Sequence, residues 1–187
     1  MLPMASVGMV TAMSGLSPAR LAGAVYLLYF LVAIGSGVLA RGNIGAVMQG
    51  AAGVPATATW VASTAIYAVL VTLLARLVWN IDPRIAVAAT IFGLVGCAIQ
   101  SATSVMALGR TGTIAALFFF GLFMVLYGWL ITRSTVMPGI LGIMFIVGGL
   151  GWCSLGIPGF PPALGLVVYA VGGVAELALA AWLLVRG

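Results

Sequence analysis

The chain has 187 residues, of which 64% are hydrophobic and only 5% are charged. Soluble domains carry about a quarter of their residues as charges, so this composition excludes a soluble globular protein and predicts a surface that faces the lipid bilayer. The net charge of +5 comes from arginines that stand singly near predicted helix ends, which argues against nucleic acid as a partner.

Residues 1–19 form a short N-terminal segment that carries no charge. A secretory signal would need a basic start and a cleavage site, and neither is visible here. Ser17 and Pro18 have the residue types of a helix N-cap and of a first helical position. We therefore predict a short segment at 1–19 followed by one transmembrane domain at 20–187.

Six apolar runs follow, and about 20 residues of helix are needed to cross a bilayer core of about 30 Å. The predicted helices lie near 20–40, 60–79, 85–107, 112–132, 139–157 and 163–185. Asp82 with Pro83, and Pro138, have the residue types of helix starts. The long connection 41–59 is apolar enough to lie structured on the membrane surface. The predicted fold is all-α, a polytopic membrane protein with a bundle of six transmembrane helices.

The arginines predict the orientation of this bundle. Arg20, Arg76, Arg84, Arg133 and Arg186 fall on the side of the termini, and Arg41 and Arg110 on the other. Because cytoplasmic loops carry the excess of basic residues, we expect both termini in the cytoplasm. The use of arginine without lysine, together with abundant glycine and alanine, favours a bacterial protein and hence the inner membrane.

Glu176 is the strongest candidate for a functional residue, because it lies near the middle of the sixth predicted span. A carboxyl group at that depth costs at least roughly 2.5 kcal/mol and normally faces the bundle interior, with a partner or a proton. Tyr169, Gly172 and Gly173 share its helix face by the 3.6-residue period. A functional carboxyl group and a structural one, satisfied by a Tyr hydroxyl group, remain equal alternatives here.

Helix depth at 1.5 Å per residue brings Tyr29, Tyr67 and Trp152 to about the level of Glu176. Gln100 lies on a small polar face of the third span with Cys97 and Ser104. We predict a ligand pocket inside the bundle, with hydrogen bonds from Tyr29, Tyr67 and Gln100 to Glu176. Its candidate residues are Glu176, Tyr29, Tyr67, Gln100, Tyr169 and Trp152.

Several chemistries lack the residues they need. The chain has no His, so imidazole-based catalysis and most zinc sites are excluded, and we predict no metal site. Asp82 and Glu176, the two acids, lie too far apart to bind a magnesium-diphosphate together. Cys97 and Cys153 lie inside spans as packing residues. No catalytic residue and no cofactor follow from the sequence.

Three segments resemble a bacterial six-helix family catalogued as domain of unknown function 4386. They are ARLAGAVYLL at 19–28, FFFGLFMVLYGWLITRSTVMPGILGI at 118–143 and AELALAAWLLVRG at 175–187. The resemblance implies a six-helix fold with cytoplasmic termini and a place for Glu176 in the family pattern. It implies no activity.

Three functions from different classes remain open at this point. The first is a protein that binds or translocates a small or lipophilic ligand in a pocket around Glu176. The second is an accessory subunit that packs against a larger membrane complex or binds pigment, quinone or lipid between its Gly-rich faces. Assembly into a homo-oligomer also stays open. The third is a membrane enzyme acting on a lipid or isoprenoid, which is the least favoured because no nucleophile–base pair is visible.

Overall fold

The computed structural model describes residues 17–187, and all regular structure within that range is helical. The helices are α1 Pro18–Leu39, α2 Ile44–Met48, α3 Val54–Val78, α4 Pro83–Met106, α5 Gly109–Thr132, α6 Gly139–Ser154 and α7 Pro162–Arg186. The predicted all-α fold is confirmed. Most of the predicted N-terminal segment, residues 1–16, lies outside the described residues, whereas residues 17–19 cap and begin α1.

Five helices, α1, α3, α4, α5 and α7, are long and apolar enough to cross a membrane, as expected for a multi-pass membrane protein. The remaining apolar helix, α6, has 16 residues and is therefore only about 24 Å long. It ends at Ser154 instead of near 157, because the chain turns through Leu155 and Gly156 before Pro158. The count of six membrane spans therefore stays a prediction. Helix length and composition support a membrane span for five of the six predicted segments.

Helix starts follow the capping residues that the sequence shows. The Ser17 hydroxyl group accepts a hydrogen bond from the Arg20 backbone N–H at 3.2 Å. The Asp82 carboxylate accepts bonds from the N–H groups of Arg84 and Ile85 at 3.0 and 3.2 Å. The predicted start of the second span near 60 is wrong by about two turns. The helix α3 begins at Val54, because Pro55 fits its first turn.

The six long helices form a closed ring in which each packs against the next in chain order. The ring closes where α7 meets α1. There a Cβ atom at Gly23 would lie 2.9 Å from the backbone nitrogen of Leu184, so the two helix backbones approach closely. The short helix α2 contacts α1, α3 and α4. We call the side of the bundle that holds α2 the Met48 end and the opposite side the Arg186 end.

Paired glycines bring α5 and α6 together. A Cβ atom at Gly128 would lie 2.6 Å from the carbonyl oxygen of Gly142, and one at Gly142 would lie 2.5 Å from that of Gly128. The pair Gly121 and Gly149 shows the same reciprocal contact, at 2.6 Å in both directions. Small residues let helix backbones touch in lipid, where no hydrophobic drive joins them. Any larger residue at these four positions would push the helices apart.

The connection between α1 and α3 is structured, as expected. Val47 on α2 is fully buried, and the Gly109 backbone N–H donates to the Gln49 carbonyl oxygen at 3.2 Å. Gly50 has φ +76°, and a Cβ atom there would lie 2.6 Å from the Thr103 carbonyl oxygen. The connection therefore packs against the ends of α4 and α5 and covers the Met48 end of the ring.

Candidate functional site

Glu176 and Tyr67 meet in the centre of the ring. Glu176 is only 3% exposed, and the Tyr67 hydroxyl group donates a hydrogen bond to its Oε1 atom at 2.5 Å. The two residues lie on α7 and α3, which are not adjacent in the ring, so the bond crosses the bundle interior. The prediction that Tyr67 bonds to Glu176 is confirmed.

Aromatic rings surround this bond. The ring of Tyr29 lies 4.7 Å from that of Tyr67, and the ring of Phe120 lies 5.4 Å from it on another side, as centroid distances. Tyr26 is fully buried beside them, with its ring 6.1 Å from Tyr67. Its hydroxyl group has no hydrogen-bond partner in the described part of the chain. The carboxyl group thus lies in an aromatic environment near the middle of α7.

A cavity of about 200 Å³ extends from this level toward the Met48 end. Aromatic, apolar and a few polar side chains line it, and its floor contains Glu176. The lining residues are Tyr29, Phe30, Met48, Trp60, Thr64, Tyr67, Gln100, Leu117, Phe120, Trp152, Tyr169, Gly173 and Glu176. All six residues of the predicted pocket are among them. The structure brings them to one cavity, and their binding of a ligand stays a prediction.

Gln100 does not bond to Glu176, which corrects one detail of the predicted site. Its Nε2 atom donates to the Met48 carbonyl oxygen at 2.9 Å and to the Ser104 hydroxyl group at 3.3 Å. The reason is that Gln100 and Glu176 lie at different depths in the bundle. Gln100 lies about 9 Å from the Met48 end of α4, whereas Glu176 lies about 21 Å from the start of α7. Gln100 therefore binds the backbone of Met48, which lines the cavity at the Met48 end.

Tyr29 also forms no hydrogen bond with Glu176 within residues 17–187. Its contribution is its ring, which packs against Tyr67. Tyr169 lines the cavity closer to the Met48 end of α7 than Glu176. It is 39% exposed, so it lies at the edge of the site. Trp152 lies near the end of α6 and contacts α7 at Gly172, one turn above Glu176.

Trp60 is a lining residue that our sequence reasoning missed. It lies seven residues before Tyr67, two helical turns away on the same face, and this periodicity was the available signal. Trp60 is 8% exposed, and its indole N–H has no hydrogen-bond partner in the part described. The buried indole N–H of Trp152 is also without one. Both nitrogen atoms are buried, and that of Trp152 packs against Gly172, so these two donors are not exposed in the cavity.

The half of α7 nearest the Met48 end is not buried by neighbouring helices. Where exposure is described, no residue from 163 to 171 is buried, whereas Gly172, Ala175 and Glu176 are. A Cβ atom at Gly173 would meet no atom within 4 Å. The cavity therefore has free space beside Gly173, and its outer part is not sealed by neighbouring helices.

The remaining polar candidates have packing roles. Cys97 is buried and free, and the Cys153 thiol lies 3.6 Å from the Phe118 carbonyl oxygen. No group of three or more His, Cys, Asp or Glu residues that could hold a metal ion occurs within residues 17–187. The Thr64 hydroxyl group donates to the Trp60 carbonyl oxygen at 3.0 Å. The Thr64 hydroxyl group is thus engaged within its own helix.

Comparison with known proteins identifies a family for part of the chain. Residues 102–187 match the model of the family described as Domain of unknown function (DUF4386), which confirms the expected resemblance for the segments at 118–143 and 175–187. The matched region contains Trp152, Tyr169 and Glu176, whereas Tyr29, Tyr67 and Gln100 precede it. No curated protein and no solved structure matches the chain significantly.

Proposed function

We propose that this chain, whose residues 102–187 match the DUF4386 family model, binds a small and largely apolar ligand in the cavity beside Glu176. One observation carries the proposal: a mid-membrane carboxyl group lies on the floor of a cavity of about 200 Å³. An apolar cavity of about 150 Å³ in another protein accepts benzene. A ligand of about that size, with one polar group, fits this space and is either held or passed across the membrane.

The lining favours binding over catalysis. It contains one carboxyl group, and the Thr64 hydroxyl group is already engaged with a backbone carbonyl. Acyl or glycosyl transfer needs a nucleophile with a base, or a second acid, within hydrogen-bond reach. Among residues 17–187 the one such pair at the cavity is the weakly nucleophilic Tyr67 phenol with Glu176, and no second acid lines the cavity, so a lipid-modifying enzyme remains the weakest of the three functions.

Filling the cavity should remove the ligand. In Gly173→Leu the added side chain has free space at its Cβ atom and extends along the cavity wall, so the protein should fold while the ligand is excluded. We expect small molecules extracted from the purified protein, identified by mass spectrometry, to fall at least about tenfold. Gly35→Leu is the matched control, because it also has open space and lies outside the cavity lining.

Equal retention of the same molecules by both variants would contradict this function. A wild-type protein that carries no small molecule beyond bulk bilayer lipid would contradict it as well. Melting temperatures of both variants in detergent show that exclusion, rather than unfolding, is measured.

We also propose that the protein lies in a bacterial inner membrane with both termini in the cytoplasm. The support is the arginine distribution, with Arg110 at the Met48 end and Arg133 at the Arg186 end of α5. In a variant without Cys97 and Cys153, a single cysteine at position 110 should react with an impermeant maleimide added outside the cells. One at position 133 should react only after the membrane is opened. The reverse pattern would overturn the orientation.

A further inference from the structure

The cavity carries an uncompensated acid. Glu176 is its one ionisable carboxyl group, no arginine lines it, and no ion pair reaches Glu176 from any residue of 17–187. An ionised carboxylate away from water is costly unless a cation accompanies it. The protein supplies neutral phenols, the Tyr67 hydroxyl group at 2.5 Å and Tyr26 beside it, and no cation among residues 17–187. A ligand that brings a positive charge would supply the missing partner.

The walls are suited to such a charge. Seven of the thirteen lining residues are aromatic, namely Tyr29, Phe30, Trp60, Tyr67, Phe120, Trp152 and Tyr169. Aromatic rings attract ammonium groups within about 6 Å of the ring centre, and this attraction strengthens when water is excluded. Cages of several aromatic rings are a known way to bind quaternary ammonium groups. A carboxyl group at the floor of an aromatic cage combines both modes of recognition.

We propose that the cavity binds a small organic cation, an alkylammonium or arylammonium ion, with its charge beside Glu176 and its apolar substituents against the aromatic walls. This assignment rests on the proposed function and specifies its ligand class. The open wall beside Gly173 provides space for the ligand to enter.

Protons should compete with this cation. The carboxyl group pairs with a cation only in its ionised form, so binding of the cation releases the proton that the neutral group carried. The other titratable groups around Glu176 and in the cavity lining are Tyr26 and Tyr29 on α1, Tyr67 on α3, Cys97 on α4 and Tyr169 on α7. The α5 and α6 residues at this level, Phe120 and Trp152, do not titrate. Phenols and thiols are ordinarily neutral below about pH 8. Acidification should therefore weaken cation binding through Glu176 alone.

The test compares choline with its uncharged analogue, in which a carbon atom replaces the quaternary nitrogen. The two have the same shape and both dissolve in water. Calorimetry on the full chain in lipid nanodiscs at pH 8 should give at least about tenfold tighter binding of choline, as expected for a desolvated cation on aromatic rings. Lowering the pH toward about 4.3, where an unperturbed Glu titrates, should weaken choline binding and leave the analogue unchanged, because protonation removes the charge with which the cation pairs.

Variants complete the test. Glu176→Gln should remove the preference for choline over its analogue, and Gly173→Leu should abolish binding of both. Equal affinity for both compounds, or no binding of choline to the wild type, overturns the cation assignment. Retained binding of the analogue with sensitivity to Gly173→Leu would leave the proposed function intact. If Glu176→Gln does not fold, the pH series on the wild type decides, and a pH-independent preference for choline overturns the assignment.

Discussion

Replacing Gly142 by alanine is expected to destabilise the protein by about 3 kcal/mol, a large effect for a single methyl group. The added Cβ atom would lie 2.5 Å from the Gly128 carbonyl oxygen and 2.8 Å from the Thr132 backbone nitrogen. Both contacts are with backbone, so no flexible side chain can move aside. Overpacking of this kind costs about 1–3 kcal/mol or more, because whole helices must separate.

Gly165→Ala is the matched control, because a Cβ atom there would meet nothing within 4 Å and the residue also lies in a helix. This variant should be more stable than the parent by about 0.5–1 kcal/mol, since alanine loses less conformational entropy than glycine on folding. Thermal or denaturant unfolding in detergent measures both variants. Equal stability of the two would show that α5 and α6 do not touch through glycine.

The second large effect concerns the bond between Tyr67 and Glu176. Glu176→Leu leaves the buried Tyr67 hydroxyl group without its acceptor, and Tyr67→Phe leaves the carboxyl group without its donor. Each change should cost about 1–3 kcal/mol of folding free energy. Removing both partners should cost clearly less than the sum, because neither polar group is then left unpaired.

The double-mutant cycle is measured by unfolding the wild type, the two single variants and the double variant. A coupling energy near zero would mean that the bond does not form in the membrane protein. Glu176→Gln serves as a further control. Its amide oxygen can still accept from Tyr67, so this variant should keep nearly the stability of the parent.

Much of the fold is determined by local sequence. Composition places the chain in lipid, and Pro18 and Pro83 with their capping residues Ser17 and Asp82 fix where α1 and α4 begin. The 3.6-residue period places Glu176 on an inward face, and the structure buries it. Such features depend on residues within a few turns of each other, so they can be read without knowledge of the neighbours.

Other features depend on which helices meet. The sequence does not show that Gly128 faces Gly142, or that Met48 on α2 closes a cavity whose floor is on α7. Gln100 shows the same limit, since its partner is the carbonyl oxygen of a residue 52 positions away.

The sequence by itself therefore determined the membrane class, the helix segments and the six residues of the candidate pocket. The tertiary structure decided their partners. In the structure Tyr67, and neither Tyr29 nor Gln100, donates the hydrogen bond to Glu176. Trp60 and Phe120 also line the cavity, which the sequence did not predict. The physical reason is that helix periodicity fixes the direction and depth of a side chain, whereas contacts across a ring depend on how closely its helix backbones approach. Glycines such as Gly121 and Gly149 set that approach through long-range packing.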